Sequence, residues 1–197
     1  MTSRNHPLSR LEEKYKAKGS KFIQIRPYKS FADQSFEYWE AAKRVHETYA
    51  GNPLDDTLIM PYLLLCRHSL ELELKDLLIQ TAEQRRRIGI AGPKDSSEDV
   101  LKDLKTKYRH KLQSLFDRVM RDFNGFASGG ENPPAHLRSM VALLNELDPT
   151  GESFRYPDST LDDSFNLDFD ALHNDMAEMI KWLGALGDYY MNTITQM

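Results

Sequence analysis

The 197-residue chain contains one cysteine, Cys66. A lone cysteine cannot form an internal disulfide. Its place in Leu63-Leu64-Leu65-Cys66 marks it as a small buried hydrophobe rather than a reactive thiol, which needs an accessible, electropositive setting. A reducing, cytoplasmic compartment is therefore expected. Long apolar runs are also missing. The strongest, Leu58 to Leu65, is interrupted by Pro61 and falls far short of the ~18 residues a membrane helix requires. Residues 1–29 carry charges throughout and lack the apolar core and small-residue cleavage site of an export signal. No membrane association is expected.

Several chemical signatures are lacking too. Gly89-Ile90-Ala91-Gly92 and Gly129-Gly130 have neither the preceding strand nor the following Lys-Ser/Thr of a phosphate-cradling loop, and there is no G-x-S-x-G elbow. The histidines (His6, His46, His68, His110, His136 and His173) show none of the i, i+3 or i, i+4 pairing that marks a metal site, so no metal and no cofactor is expected. The paired carboxylates Asp55-Asp56 and Asp162-Asp163 lie in polar segments, where capping and solvation account for them.

With 40% hydrophobic and 28% charged residues, the chain can bury one substantial core, so a single domain over residues 30–197 is expected, preceded by an arm at 1–29. The net charge of −4 is unevenly spread. Residues 1–29 hold eight Lys/Arg against two Glu, whereas 146–178 hold ten Asp/Glu against Arg155 alone. A basic arm can serve nucleic acid. It can equally pack on the acidic C-terminal part of its own chain or of a second subunit, which suits the overall acidity better.

Helical periodicity runs through most of the chain, predicting an all-α bundle of about five helices. Phe36, Trp39, Ala42 and Val45 recur at helical spacing before the stop Gly51-Asn52-Pro53. A second helix opens at Asp55-Asp56-Thr57 and runs to Arg85 or beyond, its terminal arginines complementing the macrodipole. It bears two apolar stripes, Leu63-Cys66-Leu70-Leu74 and Leu58-Tyr62-Leu65-Leu72-Ile79, as expected of the central helix of a bundle. Further helices are predicted from Ser97 toward Tyr108, from about His110 to Phe123, over Ala135 to Leu147, and from about Asp168 to Asn192. Between the last two, the alternating aromatic segments Ser153 to Pro157 and Ser164 to Leu167 predict a short hairpin-like insertion.

On the central helix Arg67, Glu71 and Lys75 form a third, charged stripe at i, i+4, i+8 beside Leu64 and Leu78. Such a stripe is either a solvated or self-paired helix face or, if turned inward, a ladder that must find partners on other helices. His68 sits one position off it. His110, at the presumed start of a helix whose Leu112 and Leu115 dock inward, is the second histidine brought toward the central helix. Arg155 completes the candidate polar patch of Arg67, His68, Glu71, Lys75, His110 and Arg155.

The string Leu65-Cys66-Arg67-His68-Ser69-Leu70-Glu71-Leu72-Glu73-Leu74-Lys75, followed by Arg109-His110-Lys111-Leu112-Gln113-Ser114-Leu115 and then Phe154-Arg155-Tyr156-Pro157, resembles the HEPN (higher eukaryotes and prokaryotes nucleotide-binding) superfamily over roughly residues 31–192. The resemblance implies a helical bundle with a central E-x-x-x-K helix, here Glu71 and Lys75, and a helix opened by His and Leu, here His110 and Leu112. It also implies metal-independent ribonucleases, toxins and defence components, or noncatalytic partners of nucleotidyltransferases. HEPN ribonucleases carry an Arg followed by a His with four to six residues between them, and none of the six histidines here has an Arg five to seven positions earlier.

The expectation is therefore a noncatalytic HEPN-like module, homodimeric, that binds a nucleotide, RNA or a protein partner encoded nearby and belongs to a defence or toxin–antitoxin type system. Two alternatives stand beside it. One is a metal-independent ribonuclease in which His68 or His110 moves protons and Arg67 or Arg155 stabilises phosphate charge. The other is a purely structural assembly subunit whose acidic and basic segments pair between chains.

Overall fold

A computed structural model of the chain describes residues 30–92, 95–126, 133–155 and 166–193; within them the side chains of residues 125, 126, 155 and 190–193 are not described. The 1–29 arm lies outside this range. Six α-helices follow one another: α1 (Phe31–Glu47), α2 (Ile59–Arg87), α3 (Ser97–Asp103), α4 (Leu112–Phe126), α5 (Ala135–Leu147) and α6 (Phe169–Thr193). Among the described residues there is no strand, so the all-α reading holds. Ser153–Arg155, predicted to begin an extended pair, forms a single 3-10 turn. The remainder of that expected hairpin, residues 156–165, lies outside the described residues.

Helix α1 is started by a complete capping box: the Ser30 hydroxyl accepts from the Asp33 N–H, and the Asp33 carboxylate accepts from the Ser30 N–H. It docks on α2 through a close approach of small residues, with the Ser35 hydroxyl donating to the Ser69 carbonyl and the Ser69 hydroxyl donating to that of Ser35. Exchanging bonds in this way satisfies both buried hydroxyls without a larger side chain to hold the helices apart. Trp39 and Ala42 complete the buried face of α1. The link to α2 turns on Asp55, whose carboxylate accepts the backbone N–H groups of Ala50 and Asn52, bonds that hold its pKa below the usual range.

Helix α2 is the axle of the bundle and packs against α1, α3, α4 and α6. Its 29 residues span about 44 Å at the standard rise. Pro61 lies in its first turn, where the missing N–H costs little. Tyr62, Leu63, Cys66, Leu70, Leu74 and Leu77 are buried in the core, and Leu72 is buried apart from that cluster. Burial pushes the Cys66 thiol up to about 12, as befits an inert core residue. Around this axle Leu112, Leu115, Phe116 and Val119 of α4, Leu137, Val141 and Leu144 of α5, and Met176, Met179 and Leu183 of α6 close one continuous core. No helix among the described residues is long and apolar enough to cross a membrane.

Between α3 and α4 the chain makes one turn of π-helix, Leu104–Tyr108. A tight turn then places Arg109 and His110 at the surface, closed by the Lys111 N–H donating to the Tyr108 carbonyl. The buried anchors Leu104, Tyr108 and Leu112 pin both ends of this link, so what lies between them is forced outward.

Candidate functional site

The charged stripe of α2 faces inward. Arg67 is 2% exposed and Glu71 1%. Desolvating these charges is expensive, several kcal/mol per ion, and the structure offsets that cost with a closed set of partners. The Arg67 guanidinium donates through Nη1 to Glu71 Oε2 at 3.0 Å, through Nη2 to the His110 carbonyl, and through Nε to the Asp148 carbonyl at 3.1 Å. Asp148 Oδ2 lies equally near, 3.1 Å from Nε, but that N–H is aligned with the carbonyl, so Oδ2 is held by charge rather than by a directed bond. Asp148 Oδ1 accepts from the Ser153 N–H. One side chain thus ties α2 to the turn before α4 and to the turn after α5.

Glu71 has its other oxygen shared by two donors. Lys75 Nζ lies 2.6 Å from Oε1, and His110 Nδ1 lies 3.0 Å from the same atom. Burial by itself would raise the Glu71 pKa, but Lys75, His110 and Arg67 together outweigh it and hold the carboxyl below its ordinary range. An ionised Glu71 fixes the plane of the His110 ring through Nδ1. The imidazole is 47% exposed, and Nε2 makes no hydrogen bond to the described residues. A buried carboxylate orienting a half-exposed imidazole through one nitrogen, with the other left unbonded to the described residues, is an arrangement suited to donating a hydrogen bond to an anion or to moving a proton.

Gly151 lets this cluster close. It is buried with φ +83°, and a Cβ there would stand 2.8 Å from His110 Cβ and 3.4 Å from Arg67 Nη1. Only glycine both tolerates the backbone conformation and leaves room for the ring.

The structure therefore brings Arg67, Glu71, Lys75 and His110 together. His68 turns elsewhere, its ring edge-to-face with Tyr38 of α1 at 4.4 Å. The Arg155 backbone ends the 3-10 turn that packs on α2, and its side chain is outside the described atoms. Two participants escaped sequence reading: Asp148, which resembles any polar residue after a helix, and Gly151, which resembles any turn glycine.

Other polar clusters lie apart from this one. Arg85 joins Asp95 and Asp122, and Arg118 adds a second bond to Asp122, around a small cavity beside Tyr108. His46 and His173 stack at 3.9 Å, with Trp39 on the far face of His173 and Asp170 on His46 Nε2. His136, Asp175 and Glu178 bring their ligand atoms within 4.8 Å of one another, a grouping of three potential metal ligands drawn from α5 and α6 that helical spacing within one helix could not reveal. His136 and Glu178 are already joined there by a surface hydrogen bond.

Comparison of the chain with protein-family models, with curated proteins and with solved structures gives no match. The class defined by fold and site is thus an all-α bundle with a buried Arg-Glu-Lys ladder supporting a surface imidazole.

Proposed function

We propose that this chain is a HEPN-like nucleotide- or RNA-binding module whose contact with phosphate is made by His110. The observation that carries the reading is the single one that Glu71, itself buried and ion-paired, grips His110 Nδ1 while the ring stays 47% exposed and Nε2 is not bonded to the described residues. Lys75, with its side chain 12% exposed, backs the same carboxylate. Arg67 and Glu71 hold the imidazole in place rather than touching a ligand, since neither reaches solvent.

Fluorescence anisotropy with labelled RNA, and calorimetry with mononucleotides, test this on the full chain. His110→Ala is expected to weaken binding about tenfold, the worth of one hydrogen bond to a charged group. Glu71→Gln, which frees the ring, should weaken it by less. Unchanged affinity in His110→Ala would refute the reading.

The same dyad favours one further reading, a metal-independent ribonuclease in which His110 Nε2 takes or gives the proton at the 2′-hydroxyl or the leaving oxygen. Cleavage of RNA by the wild type, lost in His110→Ala and retained in chelator, would convert the binding module into an enzyme. An assembly role is supported by Leu143 and Leu147, exposed one turn apart on α5, and native mass measures whether the chain is the expected homodimer.

A further inference from the structure

The cluster around His110 is electrically closed. Arg67 and Lys75 balance Glu71 and Asp148, so with a neutral imidazole the set carries no net charge to attract a phosphate. Attraction has to come from beside it. Lys105 and Lys107 on the π-helical turn, and Arg109 and Lys111 on either side of His110, are all exposed and none forms an ion pair among the described residues, although Lys107 Nζ stands over the Tyr108 ring at 5.0 Å. Within residues 102–111 the one acid is Asp103, and it is half-buried. In a chain of net charge −4 this short stretch is strongly positive.

A second observation singles out Arg109. It is the one described non-glycine residue with a positive φ, at φ +47° and ψ −108°. Those angles belong to the first central position of a type II′ turn, a site that glycine occupies without cost and that strains a residue bearing a Cβ. Its backbone N–H donates to the Leu104 carbonyl, a bond that glycine would make equally well. Among the described residues nothing asks for arginine here. Strain retained at a surface position adjoining an oriented imidazole points to a use for the side chain.

We propose that Arg109, flanked by Lys105, Lys107 and Lys111, is the phosphate-contacting edge of the His110 site and takes the phosphodiester backbone of a single-stranded nucleic acid. The inference rests on the reading of His110 given above. A guanidinium supplies two parallel donors to phosphate oxygens, and the neighbouring ammonium groups add sequence-independent attraction. The edge is a single turn of chain. A flexible strand can bend around it and bring one phosphodiester to Nε2, whereas a duplex holds its phosphates on a rigid cylinder.

The test is anisotropy of a labelled oligouridylate, the matching deoxy strand and a duplex of equal length, titrated with full-length protein across a salt series. Arg109→Ala and Arg109→Gly are expected to bind about tenfold more weakly, each with a salt slope shallower by about 0.7, the increment for one single-strand phosphate contact. Arg109→Lys should keep the slope. Arg109→Gly should nonetheless melt about 2–4 °C above Arg109→Ala, since glycine relieves the strained turn; this separates the backbone from the guanidinium. Unchanged affinity and slope in both variants, with His110→Ala still impaired, overturns the edge and leaves the His110 reading standing. Loss through Arg109 with His110→Ala binding like wild type keeps the edge and removes His110 as the contact. Duplex bound as tightly as single strand overturns the single-strand assignment, and no binding of any strand overturns both readings. Preference for the ribo- over the deoxy-oligomer identifies RNA as the source of the backbone.

Discussion

Replacing Arg67 by alanine removes a side chain that ties α2 to the turn before α4 and to the turn after α5. The bonds lost run to Glu71, to the His110 carbonyl and to the Asp148 carbonyl, together with the charge contact to the Asp148 carboxylate. Glu71 keeps Lys75 and His110, so it remains compensated. Asp148, fully buried, keeps only the Ser153 N–H and becomes a nearly unpartnered charge. Breaking a buried pair from one side costs about 3–5 kcal/mol, a large share of the ~5–15 kcal/mol that holds a domain together. At about 2–4 °C per kcal/mol for a chain of this size, the melting temperature should fall by roughly 6–20 °C. Urea unfolding followed by circular dichroism measures the free-energy loss and a thermal melt the temperature shift, with Arg87→Ala as the control. Arg87 pairs with Glu83 on the exposed end of the same helix, and such surface pairs contribute at most about 1 kcal/mol. If Arg67→Ala came within 1 kcal/mol of that control, the ladder would be no more than a helix face and the account of how His110 is held would fall with it.

Three other perturbations probe neighbouring parts of the design. Gly151→Ala is expected to cost more than 1 kcal/mol, because the new Cβ meets His110 Cβ at 2.8 Å at a positive φ, and to shift the His110 ring resonances in an NMR spectrum; an unmoved ring would show that the turn yields instead. Leu74→Ala, at a fully buried position on the axle, should cost about 2–5 kcal/mol in chemical denaturation, and a loss under 1 kcal/mol would mean that the core around it collapses to fill the gap. The pH dependence has two parts. Burial, and then the neighbouring His46, hold the His173 pKa below its ordinary 6.5, so the unfolded chain takes up that proton first, and stability should decline as pH falls through 6.5 toward the folded value. Glu71 is likewise depressed, so its contribution is complete above the ordinary carboxyl range and is lost in acid. Thermal melts of His173→Gln should lack the first decline and keep the second; a His173→Gln profile matching wild type would rule out His173 as its source.

Helix placement was legible because its determinants are local. The apolar repeat of Leu112, Leu115, Phe116 and Val119 and the end of the helix at Leu147 are set within a few residues, and each appears in the fold where the sequence put it. The Ser30 capping box that starts α1 is an equally local signal that escaped sequence reading. Burial of Cys66 followed from the same pattern. Ser153–Arg155, expected to begin an extended pair, instead forms a 3-10 turn packed on α2, because alternation over so few residues suits either conformation and the packing neighbour decides.

Of the candidate site, the sequence by itself determined the ladder: i, i+4, i+8 spacing on one helix already puts Arg67, Glu71 and Lys75 in line. Whether that line faced water or the core depended on which helices close over it. So did the partition of the two histidines, His110 toward Glu71 and His68 toward Tyr38, although His68 lies next to the stripe in sequence and His110 stands 39 residues from Glu71. Asp148 and Gly151 come from a turn some 80 residues away, and nothing in their local sequence announces Arg67 or His110 as their partners. Periodicity reports the face of a helix, because the 3.6-residue repeat is a property of the backbone alone. Partnership across the bundle is a property of the packed core, and only the tertiary structure sets it.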